Sequence, residues 1–124
     1  MTHDGICLLS AAEMARAIRG RSVSAVELVD AVLSRIDALN PVLNAYCTML
    51  ADSARETARC ADERIASGSK IGPLHGVPIS IKDNVFVKDS RTTFGSRLHE
   101  NNVTTEDAPV TARQIGRASC RERV

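Results

Sequence analysis

Residues 72–84 read Gly-Pro-Leu-His-Gly-Val-Pro-Ile-Ser-Ile-Lys-Asp-Asn, a turn rich in glycine and proline followed by a short apolar run. Proline fixes its own φ and lacks a backbone N–H, while glycine reaches backbone angles closed to other residues, so this composition favours a stiff turn. The run after the turn alternates with a period of two. It predicts a strand over 78–82 with both isoleucines on one face and Ser80 and Lys82 on the other.

Lys82, at the end of this predicted strand, is the one residue that we single out as a catalytic candidate. A lysine held inside a protein is desolvated, which disfavours the ammonium form and makes the amine available as a general base near neutral pH. The alternative interpretation is an edge strand whose lysine reaches water, as most lysines do. The four cysteines lack Cys-x-x-Cys spacing and the three histidines are scattered, so we expect no metal site and no disulfide framework.

The stretch around Lys82 resembles the lysine-bearing segment of the amidase signature family, the serine hydrolases that use a Ser–cis-Ser–Lys triad. Segments of that family read G-P-L-H-G-x-P-x-x-x-K-D-N, and residues 72–84 match every fixed position. Thr-Thr-Phe-Gly-Ser at 92–96 follows at the family's distance, and Glu-Asp-Ala-Pro-Val at 106–110 resembles its next helix start. The resemblance covers most of residues 10–113 and implies that Lys82 is the catalytic lysine.

The resemblance also implies an α/β fold, a mixed sheet flanked by helices, to which this chain contributes outer helices and one or two strands. Neither serine of the triad has a counterpart here, so we expect the chain to be an N-terminal fragment truncated before the family's glycine- and serine-rich segment. The activity implied for the full-length protein is hydrolysis of a small-molecule carboxamide to a carboxylate and ammonia or an amine, without metal or organic cofactor. The fragment itself is expected to be inactive.

Two other interpretations remain open. The same signature occurs in the A subunit of the tRNA-dependent amidotransferases, where the amidase supplies ammonia to a partner subunit. In an interpretation from a different class, the chain is a non-catalytic helical interaction module and Lys82 is structural. The helices of such a module would have to fold alone.

The composition limits the remaining classes of function. A chain of 124 residues is one domain at most, and an aromatic content of 2% predicts a core built from alanine and valine. The net charge of +1 comes without a basic stripe, so we expect no direct nucleic-acid partner. There is no signal peptide and no apolar run approaching the length of a membrane span, so we expect a cytoplasmic protein that does not bind membranes.

Capping boxes that begin at Ser10 and Ser24 predict helices over 11–19 and 25–39, because each serine is followed three residues later by a glutamate. Gly20 is expected to stop the first of these helices.

Pro41 is expected to end the second helix. A short strand is predicted over 43–50, because Tyr46, Thr48 and the preceding Val42 favour strands. A third helix is predicted over 51–67, closed by Gly68, with an inward-facing row of alanines.

Residues 92–96 allow two interpretations. Hydroxyl groups beside a glycine can line a polar pocket near a reacting carbonyl, but the same composition is typical of turns. Further on, Asp107 with Pro109 just inside it predicts the start of another helix.

Residues 115–124 read Ile-Gly-Arg-Ala-Ser-Cys-Arg-Glu-Arg-Val and break the apolar pattern of that helix, because Gly116 and three arginines interrupt it. They also match what one reading frame of a common sequencing-library adapter encodes. We therefore expect residues 1–114 to be the fragment of the amidase domain and residues 115–124 to be a non-native tail without packed contacts. A natural basic tail is the alternative.

Overall fold

The computed structural model describes residues 3–118, with side chains described over 5–114. Over that part of the chain the regular structure is helical, and none of the helices is both long and apolar enough to cross a membrane. The elements are α1 (His3–Ile6), α2 (Ala11–Arg19), α3 (Ala25–Leu43), α4 (Ala51–Ala66), a single 3₁₀ turn (Arg97–His99) and α5 (Pro109–Ala118).

The two predicted capping boxes are confirmed. At the start of α2, the Ser10 N–H donates to the Glu13 carboxylate at 2.8 Å and the Glu13 N–H donates back to the Ser10 hydroxyl at 3.3 Å. Ser24 and Glu27 repeat this exchange at the start of α3, at 2.8 and 3.1 Å. Each box satisfies backbone N–H groups that have no partner inside the helix, which fixes where the helix begins.

The predicted helix ends are confirmed for α2 and α4 but not for α3. Helix α2 stops at Gly20, although this glycine keeps a right-handed φ of −77° and Arg21 takes the left-handed φ of 56°. After α4, Gly68 turns left-handed with φ 70°. Helix α3 passes through Pro41 and ends at Leu43. A proline this close to the end of a helix removes one hydrogen bond in the last turns, at a face open to water, so the helix tolerates it.

Neither predicted strand forms within residues 3–118. Residues 43–50 leave α3 and then run irregularly, and residues 78–82 lie outside any ladder. The one β pairing described is an isolated antiparallel bridge between Arg91 and Val103. A strand needs a neighbouring strand for its N–H and C=O groups, and no described segment lies beside 78–82 in that way.

Helices α3 and α4 form the main helix–helix contact, and α1 packs on α3. The predicted inward face of α4 is confirmed, since Ala54, Ala58 and Ala61 are all fully buried. Such small side chains allow the two helix backbones to come close together. The apolar faces of these helices therefore pack against one another.

Helix α5 begins at Pro109, close to the predicted start, and its backbone stays helical through Gly116 to Ala118. The interruption of the helix that the sequence pattern predicts at Gly116 is therefore wrong, since the backbone is helical there. The predicted lack of packed contacts over 115–124 concerns side chains that lie outside the described residues.

Asp62 of α4 caps the neighbouring helix α3. Its carboxylate accepts from the N–H groups of Ala25 at 2.8 Å and Val26 at 3.2 Å. Asp62→Ala should therefore lower the free energy of unfolding by about 1–2 kcal/mol, the usual cost of losing an N-terminal cap. Urea denaturation of the full-length protein checks this value. Glu63→Ala, at an exposed position one residue along, is the matched control, and equal losses in both variants would contradict the capping role.

Candidate functional site

The glycine–proline turn that precedes Lys82 is anchored to three helices, α2, α3 and α4. His75 is buried, and its Nε2 lies 3.0 Å from the Ala61 carbonyl of α4. A carbonyl oxygen only accepts, so this bond requires the proton on Nε2, and the buried Nδ1 has no partner among the described residues. Gly76 adopts φ +79° and lies against Ala25 of α3 and Ile18 of α2. These contacts with α2, α3 and α4 hold the turn in place.

Lys82 is exposed and lies outside any strand, in agreement with the interpretation of a lysine that reaches water. The side chains of 79–82 still alternate in exposure as predicted: Ile79 and Ile81 are half-buried, while Ser80 and Lys82 are exposed. The Lys82 carbonyl accepts from the Val85 N–H at 2.9 Å, which closes a turn directly after the lysine.

Lys82 lines a cleft of about 580 Å³, which we call the lysine cleft. One wall is formed by residues 45–50, where a strand was predicted, and the other by residues 80–92. The polar and charged residues that line it are Tyr46, Cys47, Thr48, Ser80, Lys82, Asp83, Ser90, Arg91 and Thr92.

Asp83 is the best-connected polar residue of the lysine cleft. One carboxylate oxygen accepts from the Thr93 N–H at 2.9 Å and the other accepts from the Thr93 hydroxyl. Partial burial raises the pKa of Asp83, but hydrogen bonds from Thr93, the Cys47 thiol and the Gly95 N–H outweigh that effect and hold the pKa below its ordinary value. Asp83 is not among the site residues predicted from sequence, although it occupies a fixed position of the motif directly after Lys82.

Residues 92–96 form a turn, as the second of the two interpretations predicted. The Thr93 hydroxyl donates to Asp83 and accepts from the Gly95 N–H at 3.2 Å, so it is engaged inside the turn. Phe94 and Gly95 both adopt a left-handed backbone, with φ of 56° and 68°. Thr92 is buried and its N–H donates to the Asn102 carbonyl at 2.9 Å.

Arg91 connects the two walls of the lysine cleft. Its Nη1 donates to the Cys47 carbonyl at 3.2 Å, and its Nε donates to the Glu100 carbonyl at 2.6 Å. The cleft therefore combines two cationic side chains, Lys82 and Arg91, with the carboxylate of Asp83. Among residues 3–118 we find no cluster of three or more histidine, cysteine, aspartate or glutamate side chains that could hold a metal ion.

Comparison with protein families and curated proteins gives consistent matches. The family model described as Amidase matches residues 27–116. The A subunit of glutamyl-tRNA(Gln) amidotransferase from Carboxydothermus hydrogenoformans is 42% identical over 102 residues, which are 82% of this chain and 21% of that protein. Acylamidase from Rhodococcus erythropolis is 36% identical over 116 residues, which are 94% of this chain and 24% of that protein. The chain thus spans about a fifth to a quarter of the length of these relatives.

Among solved structures, a bacterial aryl acylamidase of the amidase signature enzymes superposes with a TM-score of 0.83 at 27% identity, covering 88% of this chain and 23% of that one. Neighbours of this kind support an α/β fold for the complete family, while the described part of this chain contributes helices without strands. Because the family model covers most of the chain and the fold agrees, this chain belongs to the amidase signature family.

Proposed function

We propose that the full-length protein carrying this chain is an amidase, which hydrolyses a small-molecule carboxamide to a carboxylate and ammonia or an amine. The observation that carries the proposal is the placement of Lys82. The lysine follows a turn anchored to α2, α3 and α4, and it lines an open cleft. A fixed backbone with an exposed amine at its end suits a group that must exchange a proton with a partner from another part of the protein.

In the proposed reaction, the segment that covers the cleft takes Lys82 out of water. The neutral Lys82 amine then accepts a proton, relayed through one serine, from a second serine that attacks the amide carbon. Lys82 returns this proton to the amide nitrogen, so the tetrahedral intermediate collapses to an acyl-enzyme as a neutral amine or ammonia leaves. Water, deprotonated by the same lysine, then attacks the acyl-enzyme, and the proton passes back to the serine as the carboxylate is released. Both serines lie beyond this chain by the resemblance to the family. The exposure of Lys82 supports this arrangement, because the amine is open to a segment that covers the cleft.

The described residues also limit where the oxyanion donors can come from. The N–H of Thr93 donates to the Asp83 carboxylate, and the N–H of Phe94 donates to the Asp83 carbonyl at 3.0 Å. These N–H groups are already used, so the oxyanion is stabilised by N–H groups other than these two.

The test compares the full-length protein with residues 1–124. The full-length protein should release carboxylate and ammonia or amine in equal amounts from a panel of carboxamides, and chelation of metals should leave its rate unchanged. Residues 1–124 should show no hydrolysis, because the nucleophile is absent, and we expect partial helicity without a sharp melting transition by circular dichroism. Turnover by residues 1–124 would contradict the serine-dependent reaction, and a cooperative melt would favour the helical interaction module.

A second function is favoured by the higher identity to the A subunit of glutamyl-tRNA(Gln) amidotransferase than to acylamidase, 42% against 36%. In this case the same lysine-dependent hydrolysis supplies ammonia to a partner subunit. Glutamine hydrolysis that depends on a co-purifying partner protein would identify this function, whereas hydrolysis of other carboxamides by the isolated protein would identify a free-standing amidase.

A further inference from the structure

Asp83 connects the lysine cleft to the turn at 92–96. Its carboxylate receives hydrogen bonds from the N–H and the hydroxyl of Thr93, and its backbone carbonyl receives the N–H of Phe94. The Cys47 thiol of the opposite wall also lowers the pKa of this carboxylate. Asp83 is thus bonded to the turn at 92–96 through both its side chain and its backbone, directly next to Lys82 in sequence.

The turn that Asp83 binds has a backbone that needs such support. Phe94 and Gly95 are both left-handed, and a left-handed conformation costs about 1–2 kcal/mol for a residue with a side chain such as Phe94. Consecutive N–H groups in a turn of this kind point to one side and form a concave site for an anion. Of these N–H groups, that of Thr93 donates to the Asp83 carboxylate and that of Phe94 donates to the Asp83 carbonyl, so Asp83 stabilises the turn through both groups.

The same residue limits the freedom of Lys82. The Lys82 carbonyl is held by the Val85 N–H at 2.9 Å, and the next residue, Asp83, is held through its carbonyl and its carboxylate. The backbone that carries the lysine is therefore fixed immediately after it, although the lysine side chain itself is exposed.

We propose that Asp83 is a positioning residue for Lys82: its carboxylate holds the 92–96 turn against the backbone that carries the lysine, and so keeps the amine where it exchanges protons. This inference rests on the proposed amidase function and adds to it a residue that does not touch the substrate. The low pKa of Asp83, set by the same hydrogen bonds against the effect of burial, keeps the carboxylate charged in the neutral range.

The test uses steady-state kinetics of the full-length protein. Asp83→Asn keeps the size of the side chain, but its amide nitrogen cannot accept from Thr93. We expect kcat to fall about 100-fold with little change in KM, since misplacing a reacting group by about an ångström has an effect of that size. Thr93→Val removes the hydroxyl donor and should lower kcat in the same direction, whereas Thr93→Ser keeps the hydroxyl and should restore it. Asp89→Asn, an exposed aspartate of the same cleft-side segment, is the matched control.

A count of active sites separates positioning from general damage to the fold. Titration to completion with a reagent that acylates the nucleophile should give Asp83→Asn the same number of sites as the wild type, each with a lower kcat. Fewer sites with an unchanged kcat per site would overturn the proposal, and so would a wild-type kcat in Asp83→Asn. If Lys82→Ala itself retained activity, the proposed function would fail instead, so the two failures are distinguishable.

Discussion

Lys82→Ala in the full-length protein should reduce amide hydrolysis by about 10⁴-fold or more, because the serine would lose the group that accepts its proton. The fold should be unaffected, since the Lys82 side chain is exposed and only its backbone carbonyl takes part in the turn that follows. The measurement is kcat/KM with the best carboxamide substrate, together with a thermal melt.

Two other lysines provide the controls for this substitution. Lys70 and Lys88 are both exposed and line no part of the lysine cleft. Lys70→Ala and Lys88→Ala should keep wild-type kcat/KM. Near-native turnover in Lys82→Ala would remove the triad assignment, and a comparable loss in all three variants would indicate a general effect of charge.

Among substitutions that add one methyl group to the anchored turn, Gly76→Ala should destabilise the protein most. A Cβ at this position would lie 3.0 Å from the Cβ of Ala25 and 3.2 Å from the Cδ1 of Ile18, and the backbone has φ +79°. Left-handed strain and overpacking together should lower the free energy of unfolding by about 2–5 kcal/mol. Urea denaturation of the full-length protein measures this loss, and hydrolysis should fall with it because the turn that leads to Lys82 is displaced.

Gly68→Ala separates the two contributions. Gly68 has a similar φ of +70°, but a Cβ there would meet nothing within 4 Å. Its variant should lose only the strain contribution, about 1–2 kcal/mol. Equal losses at Gly68 and Gly76 would mean that contact with α2 and α3 contributes nothing to the cost.

The helix starts were predictable because their signals are local. A serine and a glutamate three residues apart complete a capping box without help from the rest of the fold, so the starts of α2 and α3 are found where the sequence predicts them. Composition alone would place the left-handed backbone after α2 at Gly20. In the structure it lies at the neighbouring Arg21 instead.

The strand predicted over 78–82 does not form, because its signal is not complete within the local sequence. Its alternation of exposure is present, but a strand also depends on a neighbour that can come from anywhere in a chain, and the described residues contain none. The role of Asp83 was missed for a related reason. Its partner Thr93 lies ten residues further on, and only the folded turn brings the two together.

The pairing of α3 with α4 has a consequence for the order of folding. The two helices are neighbours in sequence, and contacts of short sequence separation form quickly because little chain entropy is lost in closing the loop between them. During synthesis both helices leave the ribosome before the segment at 72–84 does. When His75 and Gly76 emerge, α3 and α4 can therefore already be packed together. The Ala61 carbonyl and the Ala25 side chain are then in place to contact them.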